Sequence, residues 1–232
     1  MAAIDPAALA AALDVHGLIA RGCVDLDPAE APVGIDGRPA ACVLLVGHAG
    51  GAVWPHFSRW RGVRPSSLAN PLDAWSREVL DGVAGQFGAK AVFPSDRPYL
   101  PFQQWAMRAE GLKPSPLGIL MHPEYGLWHA YRGALLFGEP LAAVFAIHDD
   151  GARAPVHLCD ACAAKPCLKA CPVAAHSIES FDCAGCVDHV RSPGGGDCRS
   201  FGCLDRNACP FGAQHRYSAE QQAFHMAAFA GL

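Results

Sequence analysis

An α+β domain with a mostly antiparallel sheet, followed by a small cysteine-rich unit, is the architecture this 232-residue sequence predicts. Two observations carry it. Helical and strand-like apolar patterns alternate along the front of the chain, yet the last apolar runs succeed one another with no helix between them, as antiparallel neighbours do. Nine of the eleven cysteines then crowd into residues 159–210. The expected division is 1–150 for the layered domain, 151–215 for the cysteine-rich unit, and 216–232 for a terminal helix that packs back on the first domain. The boundary falls where the segment from Asp149 to Pro155, D-D-G-A-R-A-P, interrupts the apolar pattern.

Taken in order, Asp5-Pro6 opens a helix as N-cap and first helical position, with Leu9, Leu13 and His16 on one face and Gly22 as its end. A loop rich in Asp, Pro and Gly follows. A-C-V-L-L-V at 41–46 reads as a buried strand, with Cys42 in the core. The turn Gly47-His48-Ala49-Gly50-Gly51 leads to a helix over 53–60. It has the glycines to admit a phosphate but neither the P-loop nor the Rossmann spacing, so a plain tight turn is the simpler reading. Asn70-Pro71-Leu72-Asp73 starts a second helix with Trp75, Val79, Val83 and Phe87 at helical spacing. A strand over 89–93, a helix over 102–109 and strands through 118–138 and 141–148 complete the front domain.

Hydrophobic residues make up 51% of the chain and charged ones 17%, enough apolar surface to bury a core without disulfide staples. The net charge of -4 and the lack of a long basic block argue against nucleic acid as a partner. The opening M-A-A-I-D-P-A-A-L-A-A-A-L-D lacks the positive region of a signal peptide. No apolar run is long enough for a bilayer. The expected setting is a reducing cytoplasm, where thiols stay free to take up metal.

The cysteine stretch begins Cys159, Cys162, Cys167, Cys171-Pro172 and ends on a second Cys-Pro, Cys209-Pro210, with Cys183, Cys186, Cys198 and Cys203 between. This order resembles bacterial dicluster ferredoxins, where a C-x2-C-x2-C-x3-C-P run occurs twice and each Cys-Pro cysteine ligates the other cluster. Two departures are specific. The second and third cysteines of the first run are separated by four residues, A-A-K-P, and the second run lacks the inner spacings. The resemblance assigns Cys159, Cys162, Cys167 and Cys209 to one 4Fe-4S cluster, and Cys171, Cys186, Cys198 and Cys203 to another, leaving Cys183 spare. Three other readings stay open: a disulfide framework, a tetrahedral zinc on Cys159/Cys162 with Cys183/Cys186, and a single cluster beside several free cysteines.

A further resemblance lies in the front domain. The stretch L-G-I-L-M-H-P-E-Y-G-L-W-H-A-Y-R-G-A-L-L-F-G, around residues 118–138, is similar to one in cobalamin-processing chaperones of the CblC type. Pro71-Leu72-Asp73 and Arg216-Tyr217-Ser218-Ala219-Glu220-Gln221 match the same family in the same order. With a cysteine-rich unit behind it, the layout also looks like epoxyqueuosine reductase and the reductive dehalogenases. The transfer-RNA-gripping repeats of the former and the export signal of the latter have no counterpart in this sequence.

These likenesses imply a nitroreductase-like sandwich carrying cobalamin, with a ferredoxin-like tail that delivers electrons to cobalt. They imply an oxidoreductase whose partners are a corrinoid and an electron-donor protein, with no nucleic acid and no membrane. Arg132, in the W-x-x-x-R-G motif, would fork an anionic group in the pocket. His122 would approach cobalt, and Tyr125, Trp128 and Tyr131 would flank the ring. Asp96 would serve as proton donor. Against these stand plainer roles: a strand-surface ion pair for Arg132, a turn histidine for His122, and core packing for the aromatics. The alternative function is a ferredoxin-like carrier whose front domain binds FMN or docks a partner.

Overall fold

The computed structural model describes residues 4–145 and 157–232 and divides into two compact units. The first takes the chain up to Gly111 and resumes at Ala130; the second takes Leu112–His129 together with the described residues from 157 onward.

In the first unit, Asp5 caps α1 (Pro6–Asp14) by accepting from the Ala7 amide at 2.9 Å. The helix ends earlier than the apolar spacing suggests. Gly17 turns the chain at φ +70°, where a Cβ would lie 2.3 Å from the Ala52 carbonyl oxygen. Residues expected to close that helix and open a loop instead form β1 (Ile19–Asp25). The strand escapes a pattern search because Arg21, which reads as surface, is in fact buried. β1 pairs antiparallel with β2 (Cys42–Ala49), whose residues are buried as far as His48. Cys42 is in the core as expected, but it is also bonded to Cys23 across the strand pair.

Three helices follow: α2 (Trp54–Gly62), α3 (Pro71–Gln86) and α4 (Phe102–Glu110), with β3 (Lys90–Val92) between the last two. Asn70 precedes α3 in a left-handed conformation, φ 46°, and its side chain makes no cap. The buried face of α3 is Trp75, Leu80 and Val83, and Phe57 of α2 meets Trp75 edge-on at 6.2 Å between centroids. β4 (Lys113–Pro114) and β5 (Leu120–Met121) pair in the second unit, and β6 (His129–Phe137) returns to complete an antiparallel four-stranded sheet in the order β1-β2-β6-β3. The glycine turn after β2 has a packing reason. A Cβ on Gly47 would meet the Ala130 carbonyl oxygen at 2.3 Å, so that glycine permits close approach of a neighbouring strand rather than of a phosphate.

Residues 141–145, expected to begin a strand, form a turn. The Leu141 and Ala142 amides donate to Asp25 Oδ1 at 2.9 and 3.0 Å. The rest of that run and the expected boundary near Asp149–Pro155 lie outside the described residues. Among the described residues no helix is long and apolar enough to cross a membrane.

The second unit adds α5 (Leu158–Ala161), α6 (Cys183–Arg191), α7 (Gly196–Phe201), α8 (Leu204–Ala208) and α9 (Ala219–Ala230). Ser218 caps α9 by accepting from the Gln221 amide at 3.2 Å. Expected to pack on the first domain, this terminal helix has its principal helix contacts with α6 and α7 of its own unit. The segment Leu112–His129, which a division at residue 150 puts in the front domain, also groups with the cysteines.

Candidate metal centre

The nine cysteines of the second unit are free thiols, and they gather into two sets. Burial pushes the Cys159 thiol up to about 11, and the adjacent Cys209, Cys167 and Cys162 add to the rise while Lys165 opposes it. Cys167 is raised by burial and then by Cys209 and Cys162, and Cys209 by burial and Cys162. That is the first set. In the second, burial raises Cys186 to about 11, with Cys203, Cys171, Cys198 and Cys183 beside it. Cys198 and Cys203 are raised by burial first, and Cys171 faces both.

The two Cys-Pro cysteines therefore change places. Cys171, from the first run, stands among Cys186, Cys198 and Cys203, and Cys209, from the second, stands among Cys159, Cys162 and Cys167. Cys183, at the exposed start of α6, is the fifth sulfur near the second set. Burial first, and then the neighbouring sulfurs, hold the Cys159, Cys167, Cys186, Cys198 and Cys209 thiols above their ordinary range.

Each set has its own apolar shell. Met121, Leu127 and Cys209 form a buried cluster against which Leu117, Leu158, Cys159 and Phe211 pack. Val190, Cys198 and Ala230 form another, joined by Cys186, Leu204 and Met226. Beside the first set lies a small open pocket lined by Cys159, Cys162, Cys167 and Cys209 with Lys165 and Phe211. Backbone amides reach the sulfurs: Ala175 N–H donates to Cys171 Sγ at 3.4 Å, and amides at the start of α8 lower the Cys203 thiol against its burial.

Spacing distinguishes the kinds of metal these sets suit. Tetrahedral zinc with Zn–S of about 2.3 Å holds its sulfurs about 3.8 Å apart. Among the described residues, no three of the nine sulfurs lie within 4.8 Å of one another; the group that does is Cys23, Asp25 and Cys42 in the first unit. The thiols of each set are thus spread more widely than one tetrahedral zinc holds them, and an all-thiolate donor set is one that both zinc and 4Fe-4S clusters take.

The residues expected to hold cobalamin are divided between the units, His122, Tyr125 and Trp128 in the second, Asp96, Tyr131 and Arg132 in the first. His122 is a turn histidine: its Nδ1 accepts from the Glu124 and Tyr125 amides, both at 3.1 Å, and its ring stacks on Tyr125 at 4.2 Å. Trp128 is fully buried, with the Arg206 guanidinium 4.4 Å from its ring centre and Tyr217 edge-on at 5.3 Å. Tyr131 donates its hydroxyl hydrogen bond to Glu110 Oε1 at 2.6 Å. Arg132 Nε donates to the Tyr131 carbonyl oxygen at 3.1 Å. Asp96 accepts from the Phe93 amide at 2.9 Å and pairs with Arg77 at 2.6 Å. Within its own unit each of these side chains has a packing, turn-forming or ion-pairing role.

Three groups escaped the sequence reading. Lys165, inside the A-A-K-P insert, donates to the carbonyl oxygens of Cys159 and Cys162 at 2.9 and 3.2 Å. Asp205, wholly buried, accepts from the Ala170 amide at 3.0 Å and pairs with His176 Nδ1 at 2.9 Å. In the first unit, Glu110 joins Arg21 at 2.7 Å as well as Tyr131, and burial raises its carboxyl above the usual range. Only the insert left a signal, as a departure from regular spacing. No protein-family model matches this chain, and neither does any curated protein.

Proposed function

We propose that this protein is an iron-sulfur oxidoreductase that transfers electrons through two 4Fe-4S centres, one on each set of four cysteines. The exchange of Cys171 and Cys209 between the sets carries the reading. Two disulfide networks or two zinc sites have no need of a chain that crosses over twice at Cys-Pro, whereas paired clusters held a short distance apart do. Bound there, the clusters supply one-electron chemistry at low potential. The chain's own part is threefold. Eight thiolates hold the iron, the apolar shells around Met121 and Leu127 and around Val190 and Ala230 keep water from it, and amides directed at Cys171 and Cys203 set how much charge the sulfurs carry.

For the acceptor, cobalamin is the reading the sequence favours, with reduction of its cobalt for upper-ligand removal or a cobalamin-dependent reduction. One structural observation supports it. The stretch that resembles CblC-type proteins contributes Met121 and Leu127 to the apolar cluster containing Cys209, so the candidate corrinoid segment and the first set share a core. The alternative acceptor is FMN or a docked partner.

The test is assembly under anoxic conditions. The reading expects about eight irons and matching sulfide per chain, followed by a base-off spectral shift on adding hydroxocobalamin. Absence of iron would end the electron-transfer reading. Full iron with no corrinoid shift, alongside tight FMN binding, would transfer the front domain to the alternative.

A further inference from the structure

The four-residue insert in the first cysteine run is the departure from ferredoxin spacing that the proposed function leaves unused. Its third residue, Lys165, has a left-handed backbone, φ 40°, which a residue with a long side chain rarely adopts. The ammonium group donates to the carbonyl oxygens of Cys159 and Cys162, and the side chain lines the cavity that these cysteines share with Cys167 and Cys209. The insert thus holds a cation against the first set.

The second set has charges of the opposite sign. Asp205, fully buried, stands in the first turn of α8 just beyond Cys203, and Asp197 adjoins Cys198. Cations in the neighbourhood are turned elsewhere: Arg199 donates to the carbonyl oxygens of Val190 and Ser192, and Arg206 to that of Leu127. Asp205 also faces Cys167, so its charge is shared between the sets, while the hydrogen bonds of Lys165 lie wholly within the first. A cation beside a redox centre favours the state with one more electron, and burial magnifies the effect.

We propose that Lys165 would make the first set the higher-potential centre of the two when clusters are bound. The inference rests on the two-centre reading. An electron supplied by a one-electron donor protein would rest preferentially on a cluster held by the first set; no bond forms or breaks and no proton is required.

The experiment is a redox titration of the anoxically assembled full chain, followed by electron paramagnetic resonance, with iron and sulfide counted on the same samples. Two midpoints are expected. Lys165→Gln should lower the upper one by about a tenfold change in electron affinity, about 59 mV for one electron, leave the lower in place, and Lys165→Arg should restore it. Cys159→Ser should delete the upper-potential signal. A single shared midpoint, a full-iron Lys165→Gln protein with unmoved midpoints, or loss of the lower signal in Cys159→Ser would each overturn the assignment. If Lys165→Gln fails to assemble, the wild-type titration and Cys159→Ser decide alone. Wild-type protein with fewer than two centres would refute the two-centre reading itself, whereas full iron with unmoved midpoints refutes only the role of Lys165.

Discussion

Gly126 and Gly212 lock two distant segments of the second unit together. A Cβ on Gly126 would lie 2.1 Å from the Phe211 carbonyl oxygen, and one on Gly212 would lie 2.3 Å from that of Tyr125. Both glycines also have positive φ, 58° and 67°. The turn that carries His122 and Tyr125 is thereby pressed on the backbone just after Cys209-Pro210. Gly126→Ala is expected to destabilise the protein by about 1–3 kcal/mol through strain and overpacking. Chemical denaturation of the iron-loaded chain measures this, and a change within 0.5 kcal/mol, roughly the scatter of neutral surface substitutions, would contradict the close contact.

The exchanged Cys-Pro cysteines make a discriminating pair of variants. Cys171→Ser and Cys209→Ser should each reduce the iron content from about eight to about four, although the two residues lie in opposite cysteine runs. Cys183→Ser, at an exposed fifth sulfur, should keep full iron. A Cys183→Ser protein that loses half its iron would move that residue into the second set.

Arg21 and Glu110 form a buried ion pair at 2.7 Å, with side chains 2% and 3% exposed. Removing one partner of such a pair costs about 3–5 kcal/mol, so Arg21→Met should be strongly destabilised at neutral pH. The pH dependence follows from the raised carboxyl of Glu110, which burial dominates. A carboxyl whose folded pKa lies above its ordinary value of about 4.3 costs no stability below that value. It costs progressively more as pH rises towards the folded pKa, and the full amount above it. Loss of Arg21 enlarges that penalty. The stability gap between Arg21→Met and wild type should narrow in acid, and adding Glu110→Gln should close much of it at neutral pH. A gap that is flat with pH would mean that lost packing, not charge, sets the cost.

Cys23 and Cys42 are joined across β1 and β2, 19 residues apart in sequence. Breaking a link over a loop of this size typically removes about 3 kcal/mol. Reductant should destabilise the wild type by about that amount and leave Cys42→Ala unaffected. Equal sensitivity in both proteins would show that the reductant acts elsewhere.

Cys-Pro spacing is a local pattern, and the resemblance it carries already implies that Cys171 goes with the second run and Cys209 with the first. Local chemistry likewise marks the helix start at Asp5-Pro6 and the buried run of β2, where a cap and apolar continuity act over a few residues. β1 was hidden by Arg21. A charged residue in a strand reads as surface unless its partner is known, and Glu110 lies 89 positions away.

By itself, then, the sequence determined the α+β class, the crowding of nine cysteines into one stretch and the insert that sets the first run apart. Tertiary structure alone decided that Leu112–His129 belongs with the cysteines, that Trp128 is packed beneath Arg206 and Tyr217, that Cys23 meets Cys42, and that Lys165 is turned onto the first set. Each of these is a contact set by burial and charge between groups brought together only on folding. Periodicity and spacing record how a residue relates to its chain neighbours, and they hold no trace of the opposite charge or the backbone oxygen that closes on it from elsewhere in the chain.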